Sequence, residues 1–505
     1  MRTLLVNARV LSPEDPGATS LVTDGAVISW VGRGGAPGTV EATVDLAGAL
    51  VTPAFVDAHV HATSTGLALQ GLDLSGCTSL AQCLRAVEAH GRARRGGVVL
   101  GHGWDETTWP EHRPPTRLEL DRASYGGVVY LTRVDVHSAV VSSALLAAAP
   151  EARAAEGYTD SGHLSSEAHH LVRRVARESL RPADRRAAQR AARDRAAALG
   201  VGAFHELGGP DVSSEEDLRE LLALAAQEPG PDVVGYWGQL DGVRTARDLG
   251  ALGAAGDLFA DGSIGSHTAC LRAPYADADH AGHAYLSAAQ VRDHVLACTA
   301  AGVQAGFHAI GDGALATVVA GLREAAERAG VTAVRAARHR LEHVEMVDEA
   351  MIATLAELGV VASVQPAFDR LWGGAGGMYA ERLGLPRALT LNPFASLAAA
   401  GVVIALGSDA PVTPIDPWGT VRAAARHRTA TQRVAVDVAF SAHTRGGWWA
   451  ARVDDGGLLR VGAPATYAVW DTGTHTGPGL PALRPDEPLP SCLRTVVRGR
   501  TVYEV

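Results

Sequence analysis

The chain contains no lysine: all 45 of its basic side chains are arginine. No Schiff base and no carboxylated-lysine metal bridge can therefore be built in it. Cysteine is scarce, and the five present (Cys77, Cys83, Cys270, Cys298, Cys492) show neither metal-knuckle spacing nor a paired framework. A reducing, cytoplasmic setting is expected. Positive charge is in deficit, 45 basic against 55 acidic side chains for a net −10, which argues against nucleic-acid or anionic-membrane binding. No stretch approaches the roughly 18 apolar residues needed to span a bilayer. The opening MRTLLVNARVLSPEDPG meets Asn7 and Arg9 too early to read as a signal peptide. Walker and dinucleotide loops are missing too, since GGAGGM has no following Lys, and no G-x-S-x-G elbow occurs. What remains is a globular composition, 47% hydrophobic and 20% charged, with enough chain for a large core.

Residues 1–53 read as short strands around an Asp24-Gly25 turn, and the segments GAPATYAVWD and LRTVVRGRTVYEV near the C-terminus read alike. Neither end could bury a core alone. One small β-sandwich domain assembled from 1–53 and 448–505 is therefore expected. Between them, 54–447 alternates strand and helix. Eight strands are predicted at 54–60, 201–207, 233–239, 257–262, 303–310, 339–345, 360–366 and 402–409. The predicted class is α/β: a (β/α)8 TIM-like barrel whose chemistry lies at the C-terminal ends of its strands. Residues 62–183 are too long for one crossover, hold the strand-like runs VVLGHGW and VVYLTRVD, and read as an insertion at the barrel mouth.

In VDAHVHA, His59 and His61 stand two apart at the end of the first strand, so both imidazoles project to one face, near enough to share a metal ion. His308 ends strand five, His343 strand six and Asp409 strand eight. A lone buried His is usually a hydrogen-bonded core residue. Four of them and an acid on one rim form a candidate metal site. Asp409 has the alternative role of a helix N-cap ahead of Pro411.

These motifs, VTPAFVDAHVH, FADGSIGSHTACLRAPYAD, VQAGFHAIGD, RHRLEHVE and LGSDAPVTPIDPW, resemble the ordered signatures of the amidohydrolase superfamily, in the branch that includes N-substituted formamide deformylases. The resemblance covers most of the chain. It implies a metal-dependent barrel beside a small β-sandwich, hydrolysis of C–N bonds, and a metal site of His59, His61, His308, His343 and Asp409. Where that branch presents Lys on strand four, this chain has Asp257. By the strand period of two, Asp257 shares a face with Phe259 and Asp261, so a short bridging carboxylate is conceivable. A single ion is favoured and two remain open. His267 stands where the branch usually has Arg, and Ala54 where it has Gly.

The expected enzyme is a metal-dependent amidohydrolase cleaving a non-peptide amide or formamide-type C–N bond of a small molecule. The alternatives are a deaminase of an aminated heterocycle and a non-catalytic binding barrel. Zinc is the expected divalent ion, acidifying water and polarising the scissile carbonyl. Asp409 is the candidate proton shuttle to the leaving nitrogen, and His343 or His308 the candidate oxyanion stabiliser. Loop residues Trp104, Asp105, Trp109, His137, His267, Trp372 and Tyr379 are candidate substrate contacts, with packing the competing reading for each aromatic. His205 and Glu206, ending strand two, are candidate supporting or rim residues. A small-molecule substrate is the only partner expected, with a homodimer as the candidate assembly.

Overall fold

The computed structural model describes all residues except 36, 94–97, 179, 474 and 478, and all of their side chains but that of residue 178. Its centre is an eight-stranded parallel sheet. The strands are β1 (Phe55–Val60), β2 (Val201–Gly208), β3 (Asp232–Trp237), β4 (Gly253–Ala254), β5 (Gln304–Ala309), β6 (Arg340–His343), β7 (Val361–Val364) and β8 (Ile404–Leu406), neighbours in chain order. Every residue of β1, β2, β5, β6 and β7 is buried, as expected of strands covered on both faces. The sheet closes on itself. Asp409 N donates to the His59 carbonyl at 2.8 Å, His61 N donates to the Ala410 carbonyl at 2.9 Å, and Val60 bridges Ala410 in parallel. Asp57 adds a side-chain tie, accepting from Ser408 N at 2.8 Å. Gly407 makes the closure possible. A Cβ there would lie 2.7 Å from His59 N, so any side chain would push the first and last strands apart just below His59 and His61.

The sequence-predicted strand at 257–262 is corrected. β4 ends at Ala254, because Gly256 takes φ 96° and turns the chain out of the sheet. Downstream, pairing with β5 survives only as an isolated bridge from Phe259 to His308. Asp257, Phe259 and Asp261 therefore do not share a strand face. Asp257 points into the barrel mouth and the Phe259 ring lies tilted against His308 and edge-to-face with His137. Asp261 is tied off by the backbone N–H groups of Cys270, Ile310 and Gly311 at 2.8–3.0 Å.

Helices between the strands begin where short polar side chains can cap them. Ser214 starts 215–227, Ser287 with Gln290 forms a capping box for 288–301, and Asp348 starts 349–358. Strands from both chain ends meet in one five-stranded sheet, with Leu50–Pro53 paired to Tyr467–Asp471 and the latter to Ser491–Val497. A second, four-stranded sheet comes wholly from the first 45 residues. The two share a core in which Leu5, Leu21, Ile28 and Val51 pack with Leu459, Tyr467, Val469 and Val496. Between β1 and β2 lies a mixed five-stranded sheet containing Val99–Trp104 and Val129–Arg133 as a parallel pair. No helix among the described residues is long and apolar enough to cross a membrane.

Candidate metal centre

Six side chains converge at the C-terminal mouth of the barrel. β1 and the residue after it supply His59 and His61, β5 supplies His308, β6 supplies His343, the turn after β4 supplies Asp257, and the turn after β8 supplies Asp409. Asp409 Oδ1 lies 3.3 Å from His59 Nε2 and 3.2 Å from His61 Nε2. Asp257 sits among all four imidazoles: Oδ2 is 3.2 Å from His61 Nε2, and Oδ1 is 3.6 Å from both His59 Nε2 and His308 Nδ1 and 4.0 Å from His343 Nε2. Two ligands held about 2.1 Å from one tetrahedral cation stand about 3.4 Å apart. Most of these separations match that edge.

The outward ring nitrogens are all committed. His59 Nδ1 donates to Glu342 Oε2 at 3.0 Å, His61 Nδ1 to the Leu207 carbonyl at 3.1 Å, His308 Nε2 to the Gly262 carbonyl at 3.2 Å, and His343 Nδ1 to Gln365 Oε1 at 2.9 Å. A proton held outside leaves a lone pair facing inside, the tautomer that a metal ligand requires. Three inward atoms, His59 Nε2, His308 Nδ1 and Asp257 Oδ1, are buried with no hydrogen-bond partner. Orphaned atoms of this kind are costly in a folded interior. A divalent cation satisfies them together, so the residues present fit the ion.

The electrostatics agree. Burial opposes charge on His59, yet Asp409 and Asp257 hold its pKa well above the usual imidazole value, and the same carboxylates push His61 up to about 9. Burial would raise Asp257, but the field of His59 and the neighbouring imidazoles holds it well below the carboxylate range. The field that recruits protons to these rings is equally one that attracts a cation. Two of the six sit in strained backbone: His343 at φ 72° and Asp409 at φ 55°. Left-handed conformations cost a non-glycine residue about 1–3 kcal/mol and persist where surrounding structure imposes them.

Below the centre lies a group that sequence reasoning missed. Arg340, fully buried, donates to Glu342 at 2.6 and 3.1 Å, to the Ala58 carbonyl at 2.7 Å and to Ser363 Oγ at 3.1 Å, and lies 3.0 Å from His205 Nδ1. Its guanidinium also covers the Tyr236 ring at 4.4 Å. A signal was available: in HRLEH, Arg340 and Glu342 stand two apart on one strand, so they face inward together. Glu206, beside His205, accepts from Ala62 N at 2.7 Å and so caps the helix that follows His61.

The cavity over these six side chains encloses about 100 Å³ and is bounded by His61, Asp257, His308, His343 and Asp409 on one side. His137 lines it, 5.1 Å from the His308 ring, with its pKa pushed down to about 3 by burial and by His308. Trp372 and Tyr379 line an adjoining recess with His343 and Asp409, where Phe368 stacks on His343. Trp104, Asp105, Trp109 and His267 do not line this cavity. Trp104 is fully buried with Nε1 donating to the Leu131 carbonyl, and Trp109 donates to the Cys77 carbonyl. Asp105 pairs with Arg133 at 3.1 Å, and His267 with Asp277 at 2.9 Å.

Comparison with known proteins gives a concordant result. The model of a family described as the amidohydrolase family matches residues 42–503. The putative amidohydrolase YtcJ of Bacillus subtilis is 28% identical over 432 residues, 79% of this chain and 77% of the relative. The N-substituted formamide deformylase of Arthrobacter pascens is 24% identical over 462 residues, 83% of this chain and 82% of the relative. Among solved structures, an uncharacterized metal-dependent hydrolase from Pyrococcus horikoshii superposes with a TM-score of 0.74 at 25% identity, covering 93% of this chain and 97% of its own.

Proposed function

The chain belongs to the amidohydrolase family, and from that premise we propose that it hydrolyses a non-peptide C–N bond of a small amide, of formamide type, with zinc as its ion. The observation that carries this reading is the set of inward lone pairs left bare at His59, His308 and Asp257, with every outward imidazole nitrogen already bonded. His59, His61, Asp257 and Asp409 would hold one ion, the arrangement we favour. Asp257 with His308 and His343 is where a second would sit. When bound, the ion supplies Lewis acidity, lowering the pKa of water toward about 7 and polarising the carbonyl.

The chain's own residues do the rest. Asp409 receives the proton of the attacking water and passes it to the leaving nitrogen, which cannot depart as an anion. His343, with its proton committed to Gln365, presents a lone pair inward. We therefore assign it a ligand or positioning role rather than oxyanion donation. His137, kept neutral, borders the space where the substrate sits. The apolar side of the cavity, including Leu67, Leu100 and Phe259, excludes water around the reacting carbonyl.

The test pairs elemental analysis with a mixed panel of formamides, N-acyl compounds and aminated heterocycles. We expect about one zinc per chain and release of formate or another acid with an amine. Ammonia release from ring substrates alone would replace the amide reading with deamination. A protein without metal after zinc-supplemented expression would sink both.

A further inference from the structure

Arg173 is the one buried arginine among the described residues that has been left without a partner. Arg133 is held by Asp105, Glu106 and Asp135, Arg340 by Glu342, Arg382 by Asp277, and Arg193 by the carbonyls of Glu228 and Pro231. Arg173 is 7% exposed, its Nε has no hydrogen-bond partner, and no carboxylate among the described residues pairs with its guanidinium. Arg177 follows four residues later on the same helix, Ser166–Glu178, so the two like charges are stacked on one face. Arg177 Nη2 donates to Ser64 Oγ at 2.8 Å, and its pKa is pushed down to about 10 by burial and by Arg173. The carboxylates whose field reaches it are engaged elsewhere: Asp217 with Thr63 and Gln189, Glu206 with Ala62 N.

Arg173 and Arg177 both line the cavity that holds Asp257, His308 and Asp409, and both also border the neighbouring pocket beside Asp217. Two desolvated cations on one wall, without counterions, are an unfavourable arrangement that an anionic ligand relieves. We propose that this wall is a carboxylate subsite, and that the substrate is an amide carrying a carboxylate, seated on Arg173 and Arg177 while its scissile carbonyl faces the metal residues. The planar fork of arginine matches a carboxylate in two parallel hydrogen bonds. Asp257 and Asp409 border the same cavity and repel negative charge, so a monoanion fits better than a dianionic phosphonate. The inference rests on the C–N hydrolase reading for the bond cleaved, and on the cavity alone for the anion.

The experiment compares the zinc-loaded wild type with Arg173→Gln on N-formylleucine, its methyl ester and its phosphonate analogue. We expect the free acid to exceed the ester in kcat/KM by about tenfold or more, and Arg173→Gln to collapse that ratio by about as much. Equal use of acid and ester by the wild type, a proportionate loss of both in the variant, or a preference for the phosphonate overturns the subsite. Calorimetry with 4-methylpentanoate and 4-methylpentan-1-ol separates this reading from the one beneath it. Acid binding that weakens in Arg173→Gln at unchanged zinc content keeps the subsite even if no formamide is cleaved. Cleavage of every formamide without regard to charge keeps the hydrolase and removes the subsite. Should Arg173→Gln fold poorly, Arg177→Gln gives the same readout, and Arg173→Lys, which keeps the charge, recovers part of the acid preference.

Discussion

Two clusters of buried polar groups occupy the same barrel, adjacent to each other along β1 and β6, and they differ in how far their charged groups are satisfied. In the lower one, Arg340 meets Glu342, Ala58, Ser363 and His205 through hydrogen bonds, Glu342 is fully used, and only the far side of His205, Nε2, goes unpaired. In the upper one, six titratable groups face each other with His59 Nε2, His308 Nδ1 and Asp257 Oδ1 unpaired. A network whose charges are paired contributes rigidity and position; one whose charged groups face each other unpaired costs free energy until a ligand arrives. His59 belongs to both, with Nδ1 bonded below and Nε2 bare above. The lower cluster is thereby the support on which the upper one is oriented.

The largest effect should follow from breaking the upper cluster at the group that moves a proton. Asp409→Asn leaves His59, His61 and Asp257 to hold an ion, so metal content should fall only in part while kcat/KM drops roughly 10²–10⁴-fold. His61→Ala, by contrast, should cost the ion itself. Near-normal turnover in Asp409→Asn would show that the proton travels by another group. Breaking the lower cluster should instead appear first as instability. Arg340→Ala strands the Glu342 carboxylate in a dry interior and should cost about 3–5 kcal/mol in chemical denaturation. A loss below about 1 kcal/mol would mean that water or a shifted side chain replaces the guanidinium, and the contrast between the clusters would weaken.

How much of this was legible in the sequence depends on whether a feature has a period. The barrel was, because strands buried on both faces announce themselves as apolar runs and the helices between them carry Ser or Asp caps. The His-x-His pair was visible for the same reason, since alternation alone puts both rings on one face. Strand four was misplaced because the apolar run Leu258-Phe259-Ala260 continues beyond Gly256, and only a positive φ, invisible to a hydrophobic pattern, ends the strand. Trp104 and Asp105 looked like pocket residues in a Gly- and Pro-rich loop. Their partners, Leu131 and Arg133, lie on a neighbouring strand nearly thirty residues on, where no local pattern points. Arg173 was hidden inside a helix rich in arginine, where burial and missing counterions are facts of the tertiary structure alone.

The smallest predicted effect is the most discriminating, because it tests whether the lower cluster serves the upper one. Glu342→Gln keeps the shape and removes the charge. The amide must then choose between His59 and Arg340. With its oxygen toward Arg340, its NH₂ faces His59 Nδ1, which becomes an acceptor; the ring proton moves to Nε2 and points into the space where the ion is held. With its oxygen toward His59, the tautomer survives but the NH₂ meets a guanidinium donor. Either way an orienting bond to a ligand is weakened, and zinc affinity measured by chelator competition should fall about 10–100-fold, with a smaller loss of stability than Arg340→Ala. If zinc binding in Glu342→Gln equals wild type while stability falls, Glu342 is a partner of Arg340 only, and His59 owes its orientation to the strand itself.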